Sequence, residues 1–124
     1  MKLIIAGSRN ASVSVPRIRE DIESLCIPTP TTIVSGGAIG IDACGERYAK
    51  LNGIEVVTFT PDWNLHGKAA GPIRNRKMAE FADRLIAYWD GRSPGTRNMI
   101  ETMNALGKPV DVFVVSATDS EVKP

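Results

Sequence analysis

The segment from residue 34 to 42 most constrains the fold, because three glycines separate an apolar run from the pattern of an amphipathic helix. It reads VSGGAIGID and continues the apolar run Thr32-Ile33. A turn between a strand and a helix often needs a positive φ, which glycine adopts at low cost. A helix that begins there directs unpaired N–H groups and its positive dipole end into the turn, which favours anions. The segment therefore indicates either a phosphate cradle or an ordinary turn of an α/β domain.

Strand patterns alternate with helical patterns along the whole chain. The predicted strands are residues 2–6, 31–35, 55–59, 84–89 and 110–115, and the predicted helices start near Pro16, Ile41, Ile73 and Thr96. Residues 61–72 lack periodicity and are predicted to form a long loop, which in such folds is often functional. The alternation predicts an α/β fold in which a mainly parallel five-stranded sheet carries helices on both faces. We expect the strand order 3-2-1-4-5.

Length and charge limit the class of protein. A chain of 124 residues predicts one domain, residues 1–116, followed by a polar tail, 117–124, that we expect to be flexible. The net charge of +1 gives no global nucleic-acid-binding surface. No stretch approaches the roughly 18 apolar residues of a membrane-spanning helix, and the first apolar run is too short for a signal peptide. We therefore predict a cytoplasmic protein without a membrane partner.

Metal and thiol chemistry receive no support from the sequence. The chain has two cysteines, Cys26 and Cys44, and one histidine, His66, without the spacing of a zinc site. Both cysteines fall on apolar helical patterns, which predicts reduced thiols in the core. No metal and no cofactor are predicted. His66 is interpreted as a loop residue rather than a catalytic one.

A ligand site is predicted at one edge of the sheet. In parallel α/β sheets a ligand lies beyond the carboxyl ends of the strands, where the strand order reverses. The order 3-2-1-4-5 brings the turns after strands one, two and four to that edge. The candidate ligand-binding residues there are Gly7, Ser8, Arg9, Ser35, Gly36, Gly37, Gly40, Asp42, Lys68, Arg74, Trp89, Ser93, Gly95 and Thr96.

Each charged or aromatic residue at this edge allows more than one interpretation. The cations Arg9, Lys68, Arg74, Arg76, Arg92 and Arg97 offset a ligand with several negative charges as a set, whereas each alone suits a solvated surface. Asp42 suits a helix start or a hydroxyl contact, and Asp90 suits a turn, a hydroxyl contact or a base. Trp63 and Trp89 each suit base stacking or core cover. Trp89 is favoured for stacking because it ends a strand at the point of reversal.

Several separated motifs, read together, resemble one known group of proteins. They are Gly7-Ser8-Arg9, the segment 34–42, Asp62-Trp63, residues 66–78 and residues 93–100. As a set they resemble the YspA, or cpYpsA-related, branch of the SLOG superfamily over about residues 1–115. The resemblance implies a Rossmann-like three-layer sandwich that binds nucleotides or nucleotide-derived ligands. It also implies self-association, and the methionine-rich fourth predicted helix suits either a dimer face or core packing.

Two related groups suggest alternative functions. DprA proteins share the GSR turn, the segment 35–42 and the RNR segment at 74–76, which adds Asn75 to the candidates and implies single-stranded nucleic-acid binding. LOG-type phosphoribohydrolases share Arg74 four residues before Met78, which implies N-glycoside cleavage with Arg74 and a carboxylate, Asp90 or Glu101. Met99 stands where their catalytic glutamate is expected, so the anion-binding geometry transfers better than the hydrolysis.

Overall fold

Five parallel strands form the central layer of the molecule. The computed structural model describes residues 1–116, so the predicted flexible tail, 117–124, lies outside the described residues. The strands are β1 (Lys2–Gly7), β2 (Thr32–Ser35), β3 (Glu55–Thr58), β4 (Arg84–Trp89) and β5 (Val110–Val114). All neighbours pair in parallel, in the order β3-β2-β1-β4-β5. The predicted fold class and strand order are both confirmed.

Helices cover both faces of this sheet. They are α1 (Val15–Ser24), α2 (Ile41–Leu51), α3 (Trp63–His66), α4 (Ala70–Phe81) and α5 (Pro94–Ala105). Alternate residues of β1 enter two cores, because successive side chains of a strand point to opposite faces. Leu3 and Ile5 pack with α1 and α2, whereas Ile4 and Ala6 pack with α4 and α5. The central strands are buried on both faces, as apolar strands of a parallel sheet are.

The prediction of a loop at residues 61–72 is wrong, because most of this segment is helical. Asp62 accepts a hydrogen bond from the Leu65 N–H at 3.0 Å and so caps α3. A 3₁₀ turn, Gly67–Ala69, connects α3 to α4, which begins three residues before the predicted helix. A four-residue helix is too short to show hydrophobic periodicity, whereas the cap is a local interaction of one side chain.

One smaller expectation needs correction, and one alternative that the sequence left open is decided. Cys26 lies beyond the end of α1 with a φ of 56° and is exposed, so only Cys44 is a buried thiol. Met99 and Met103 of α5 are buried against the sheet, so this methionine face belongs to the core and not to a dimer surface. The helices of residues 1–116 include none with the length and apolarity needed to cross a bilayer.

Candidate functional site

An open cleft of about 1040 Å³ lies at the edge of the sheet where the strands end. The segments that follow β1, β2, β3 and β4 all contribute to its lining. Parallel strands place their carboxyl ends on the same side, so loops far apart in sequence meet there. The strand order therefore accounts for the position of the cleft.

Three helices begin at the cleft. Residues in the first turns of α2, α4 and α5 line it, among them Asp42, Gly71 and Thr96. None of these helices has a side-chain hydrogen bond at its N-cap, where the residues are Gly40, Ala69 and Ser93. Backbone N–H groups at a helix start favour negative charge, and the favourable dipole ends add at one place. The cleft is thus electrostatically suited to an anion.

Gly40 joins the start of α2 to the turn after β1. It has a φ of 79°, and a Cβ there would lie 2.5 Å from the Arg9 carbonyl oxygen. The Ile41 N–H donates to the Ser8 carbonyl at 3.3 Å across the same contact. Only glycine fits both the backbone angle and this approach. Gly40 therefore holds two walls of the cleft together without lining it.

Arg74 crosses from α4 to the glycine turn after β2. Its Nη1 donates to the Gly36 carbonyl at 2.7 Å and to the Phe59 carbonyl at 3.4 Å, and its Nε donates to Asn75 Oδ1 at 3.0 Å. A Cβ on Gly36 would lie 2.6 Å from Arg74 Nη1 and 2.9 Å from Asp42 Oδ2. The missing side chain at Gly36 therefore lets a guanidinium and a carboxylate meet the turn from opposite elements.

Asp42 is a buried carboxyl group in this wall. Its Oδ2 accepts from the Ala38 N–H at 3.2 Å. Its pKa is raised from 3.8 to about 6, mainly by burial and to a smaller extent by the charge of Glu46. The Ala38 N–H, Arg74 and Arg9 lower the pKa and offset part of this effect. Asp42 therefore changes charge near pH 6, beside the cations of the cleft.

The amides of the glycine turn are not all free for a ligand. The Gly37 N–H donates to Ser35 Oγ at 3.0 Å, and Ser35 Oγ donates to Glu46 Oε2. The Ala38 N–H is taken by Asp42. Two amides that the glycine motif offers to an anion are thus used to rigidify the turn itself. At the start of α5, the N–H groups of Gly95 and Thr96 make no hydrogen bond to another residue within 1–116.

The Asn75 side chain links α4 to the start of α5 by hydrogen bonds. Its Nδ2 donates to the Gly95 carbonyl at 3.2 Å and to Asn98 Oδ1 at 2.9 Å, and the side chain is buried. Together with the contact to Arg74, these bonds use both ends of the amide. Asn75 therefore positions Arg74 and the α5 start relative to each other.

Replacing Asn75 with alanine is expected to lower the free energy of unfolding by about 2 kcal/mol, because buried polar partners lose their bonds. Urea unfolding followed by circular dichroism measures the change. Asn104→Ala, at an exposed position on α5, is the matched control and should change stability by less than about 0.5 kcal/mol. An equal loss of stability in the two variants would contradict the role of Asn75 in linking α4 to α5.

The turn after β4 is organised by its own side chains. Asp90 Oδ1 accepts from the N–H groups of Arg92 and Ser93, each at 2.8 Å, and Asp90 Oδ2 accepts from Ser93 Oγ at 3.1 Å. The Ser93 N–H and then the Arg92 N–H hold the pKa of Asp90 below its usual range. Buried Ser8 accepts from the Asp90 N–H at 3.0 Å. Asp90 thus performs the turn-forming role.

Trp89 and Glu101 do not line the cleft. The Trp89 Nε1–H donates to the Ser93 carbonyl at 3.1 Å, and the Arg97 guanidinium lies 5.7 Å from the centre of its ring. Glu101 is exposed on α5. Of the three residues predicted to be catalytic, only Arg74 lines the cleft, and the one lining carboxylate among the described residues is Asp42.

The structure brings most of the predicted ligand-binding residues to one surface. Those that line the cleft are Gly7, Arg9, Gly36, Gly37, Asp42, Lys68, Arg74, Asn75, Ser93, Gly95 and Thr96. Those outside the lining are Ser8, Ser35, Gly40 and Trp89. The lining also includes Ile39 and Asn98, which were not predicted, and Trp63, which the sequence left open between base stacking and covering the core. Trp63 lies five residues after the end of β3, and this position beyond the carboxyl end of a strand is the signal in the sequence that points to it. In the part of the chain that the structure describes, no group of three metal-ligating side chains occurs.

Comparison with known proteins gives a consistent family and fold. A family model described as the YspA, cpYpsA-related SLOG family (YAcAr) matches residues 1–66. The Gene 61 protein of Mycobacterium phage D29 is 38% identical over 92 residues, which covers 69% of this chain and 74% of that protein. DNA processing protein A (DprA) from Streptococcus pneumoniae matches 93% of this chain with a TM-score of 0.71 at 23% identity. This chain spans 50% of that protein's length, and the likeness concerns the fold.

Proposed function

The chain belongs to the YspA, cpYpsA-related SLOG family, and we propose that its cleft binds a nucleotide or a phosphorylated nucleotide-derived ligand. Membership of this family supports a role connected with nucleotides or nucleic acids. The protein would then act as a ligand-binding domain, for instance in sensing such a ligand. Self-association and a cytoplasmic location belong to the same proposal.

One observation carries the proposal: the starts of α2, α4 and α5 converge on a single cleft that also contains three cations. Arg9 and Lys68 are exposed at the cleft, and Arg74 is half-buried within it. The carboxylate of Asp42 offsets only one of these charges. A phosphate at the start of α5 would accept hydrogen bonds from the unpaired N–H groups of Gly95 and Thr96. Helix starts bind anions in this way.

Isothermal titration calorimetry against AMP, ADP-ribose and cyclic dinucleotides tests this proposal. We expect a dissociation constant of about 1 mM or lower for at least one of them at low salt. Replacing Lys68 or Arg9 with alanine should weaken binding about five-fold, because each removes one positive charge from the lining of the cleft.

Lys50→Ala is the matched control for these variants. Lys50 is an exposed cation in the last turn of α2, at the opposite end of the helix from the cleft. Its removal changes the net charge equally, so a general charge effect would weaken binding in all three variants alike. Failure of every ligand in the panel to bind would count against the proposal.

The two alternative functions have less support from the site. N-glycoside cleavage requires a carboxylate near the sugar, whereas Asp90 is engaged in its own turn and Glu101 lies outside the lining. Single-stranded nucleic-acid binding requires a basic surface, and Arg92 and Arg97 lie outside the cleft lining. Base release from AMP over several hours, and binding of an oligonucleotide that weakens steeply with salt, are the respective assays.

A further inference from the structure

An exposed aromatic ring lies at the β3 end of the cleft. Trp63, the first residue of α3, lines the cleft with 59% of its surface exposed. Its Cη2 lies 3.8 Å from the position that a Cβ on Gly71 would take, so one ring edge approaches the start of α4. Among residues 1–116 it is the one aromatic side chain in the lining. A planar group can therefore meet this ring within the cleft.

A second exposed apolar side chain lies at the neighbouring β2 end. Ile39 also lines the cleft and is 67% exposed. Apolar surface of this size is favourable to cover, and an indole ring gains most from a flat partner. Ile39 and Trp63 are large apolar side chains that no other part of residues 1–116 buries. Both lie where a ligand would cover them.

The opposite end of the cleft has different chemistry. The start of α5 lies beyond β4, with the unpaired amides of Gly95 and Thr96. In the order β3-β2-β1-β4, the ends of β3 and β4 are three strand spacings apart, or about 14 Å. The cleft is thus long, with an aromatic ring at one end and anion-binding amides at the other.

We propose that the cleft selects nucleotides over simple phosphates and holds them in one orientation. The planar base stacks on Trp63 beside Ile39, and the phosphate lies toward the start of α5. This inference rests on the anion-binding function proposed above and adds the base as a required part of the ligand. Stacking of a base on an aromatic side chain is sequence-tolerant and strengthens binding by about 10-fold or more.

Calorimetry with AMP and ribose 5-phosphate distinguishes the contribution of the base to the affinity from that of the phosphate. The unmodified protein should bind AMP at least about 10-fold more tightly than ribose 5-phosphate. Trp63→Ala should weaken AMP binding about 10-fold and change ribose 5-phosphate binding less than two-fold. Trp63→Phe, which keeps a ring, should retain most of the affinity for AMP. AMP should also quench tryptophan emission in the unmodified protein, but much less in Trp63→Phe.

Leu65→Ala is the matched control, because Leu65 lies on the same short helix, is 72% exposed and does not line this cleft. It should leave both affinities unchanged. Equal binding of AMP and ribose 5-phosphate, or equal weakening of both by Trp63→Ala, would overturn the orientation while leaving phosphate binding intact. Binding of neither ligand would overturn this inference, and the proposed function would fall with it only if ADP-ribose and the cyclic dinucleotides also failed to bind.

Discussion

The Arg74→Ala variant is expected to bind AMP at least 30-fold more weakly than the unmodified protein. Nη1 and Nε of Arg74 are held by Gly36, Phe59 and Asn75, whereas Nη2 makes no hydrogen bond to another described residue. Burial lowers the pKa of this guanidinium and Asp42 raises it, yet an arginine remains charged at neutral pH. Arg74 therefore offers a fixed, charged donor in the cleft. Loss of such a contact weakens binding by about 2 kcal/mol or more.

A lysine at position 74 would carry the same charge but could not reproduce the hydrogen-bond geometry of the guanidinium. Arg74→Lys keeps the charge but loses the fork that joins the α4 start to the glycine turn, so we expect binding about 10-fold weaker than in the unmodified protein. Arg76→Ala is the control: Arg76 is exposed on α4 and pairs with Glu80 at 3.0 Å. It should bind AMP normally. Binding of AMP by Arg74→Ala within two-fold of the unmodified protein would show that the Arg74 guanidinium does not contact the ligand.

The fold was predictable because its signals are local and repeated. Apolar strand patterns alternate with helical patterns, and parallel pairing then follows from the need for crossover connections. The predicted strand at residues 84–89 matches β4 at both ends. The segment 61–72 was not predictable in this way, since α3 depends on one cap at Asp62 and a few residues. Short helices without periodicity leave no pattern to detect.

The site was predictable at the level of the sheet edge and less so at the level of atoms. Strand order alone brings Gly36, Arg74 and Gly95 to one cleft. The sequence does not reveal whether a polar group faces a ligand or is already hydrogen-bonded to neighbouring residues of the protein. The Asp90 carboxylate and the Gly37 amide are bonded within their own turns. The favoured tryptophan, Trp89, is tied to the turn after β4, so the ring that lines the cleft is Trp63.

Replacing Asp42 with asparagine is expected to stabilise the protein at pH 7.5. The folded protein raises the pKa of Asp42 from 3.8 to about 6. Between these values the folded chain keeps a proton that the unfolded chain has lost, so stability falls as the pH rises. Above about pH 6 both states are ionised and the loss stays constant at about 3 kcal/mol. Asparagine resembles the protonated form and retains an oxygen for the Ala38 N–H.

Urea unfolding without ligand measures this effect. We expect Asp42→Asn to exceed the unmodified protein by up to about 3 kcal/mol at pH 7.5 and by about half as much at pH 5. Glu20→Gln, at an exposed position on α1, removes an equal charge and should change stability by less than about 0.5 kcal/mol. A less stable Asp42→Asn protein at pH 7.5 would mean that the electrostatic attraction between Asp42 and Arg74 outweighs the burial of the Asp42 charge.

The same substitution should change the pH dependence of ligand binding. ADP-ribose is the suitable ligand, because the terminal phosphate of AMP itself titrates near pH 6. In the unmodified protein, affinity for ADP-ribose should rise as the pH falls through about 6, since protonation of Asp42 removes a negative charge beside Arg74 and Arg9. In Asp42→Asn the affinity should be higher at pH 7.5, by about five-fold, and nearly constant down to pH 5. A pH profile that is the same in both proteins would show that the charge of Asp42 does not influence the bound anion.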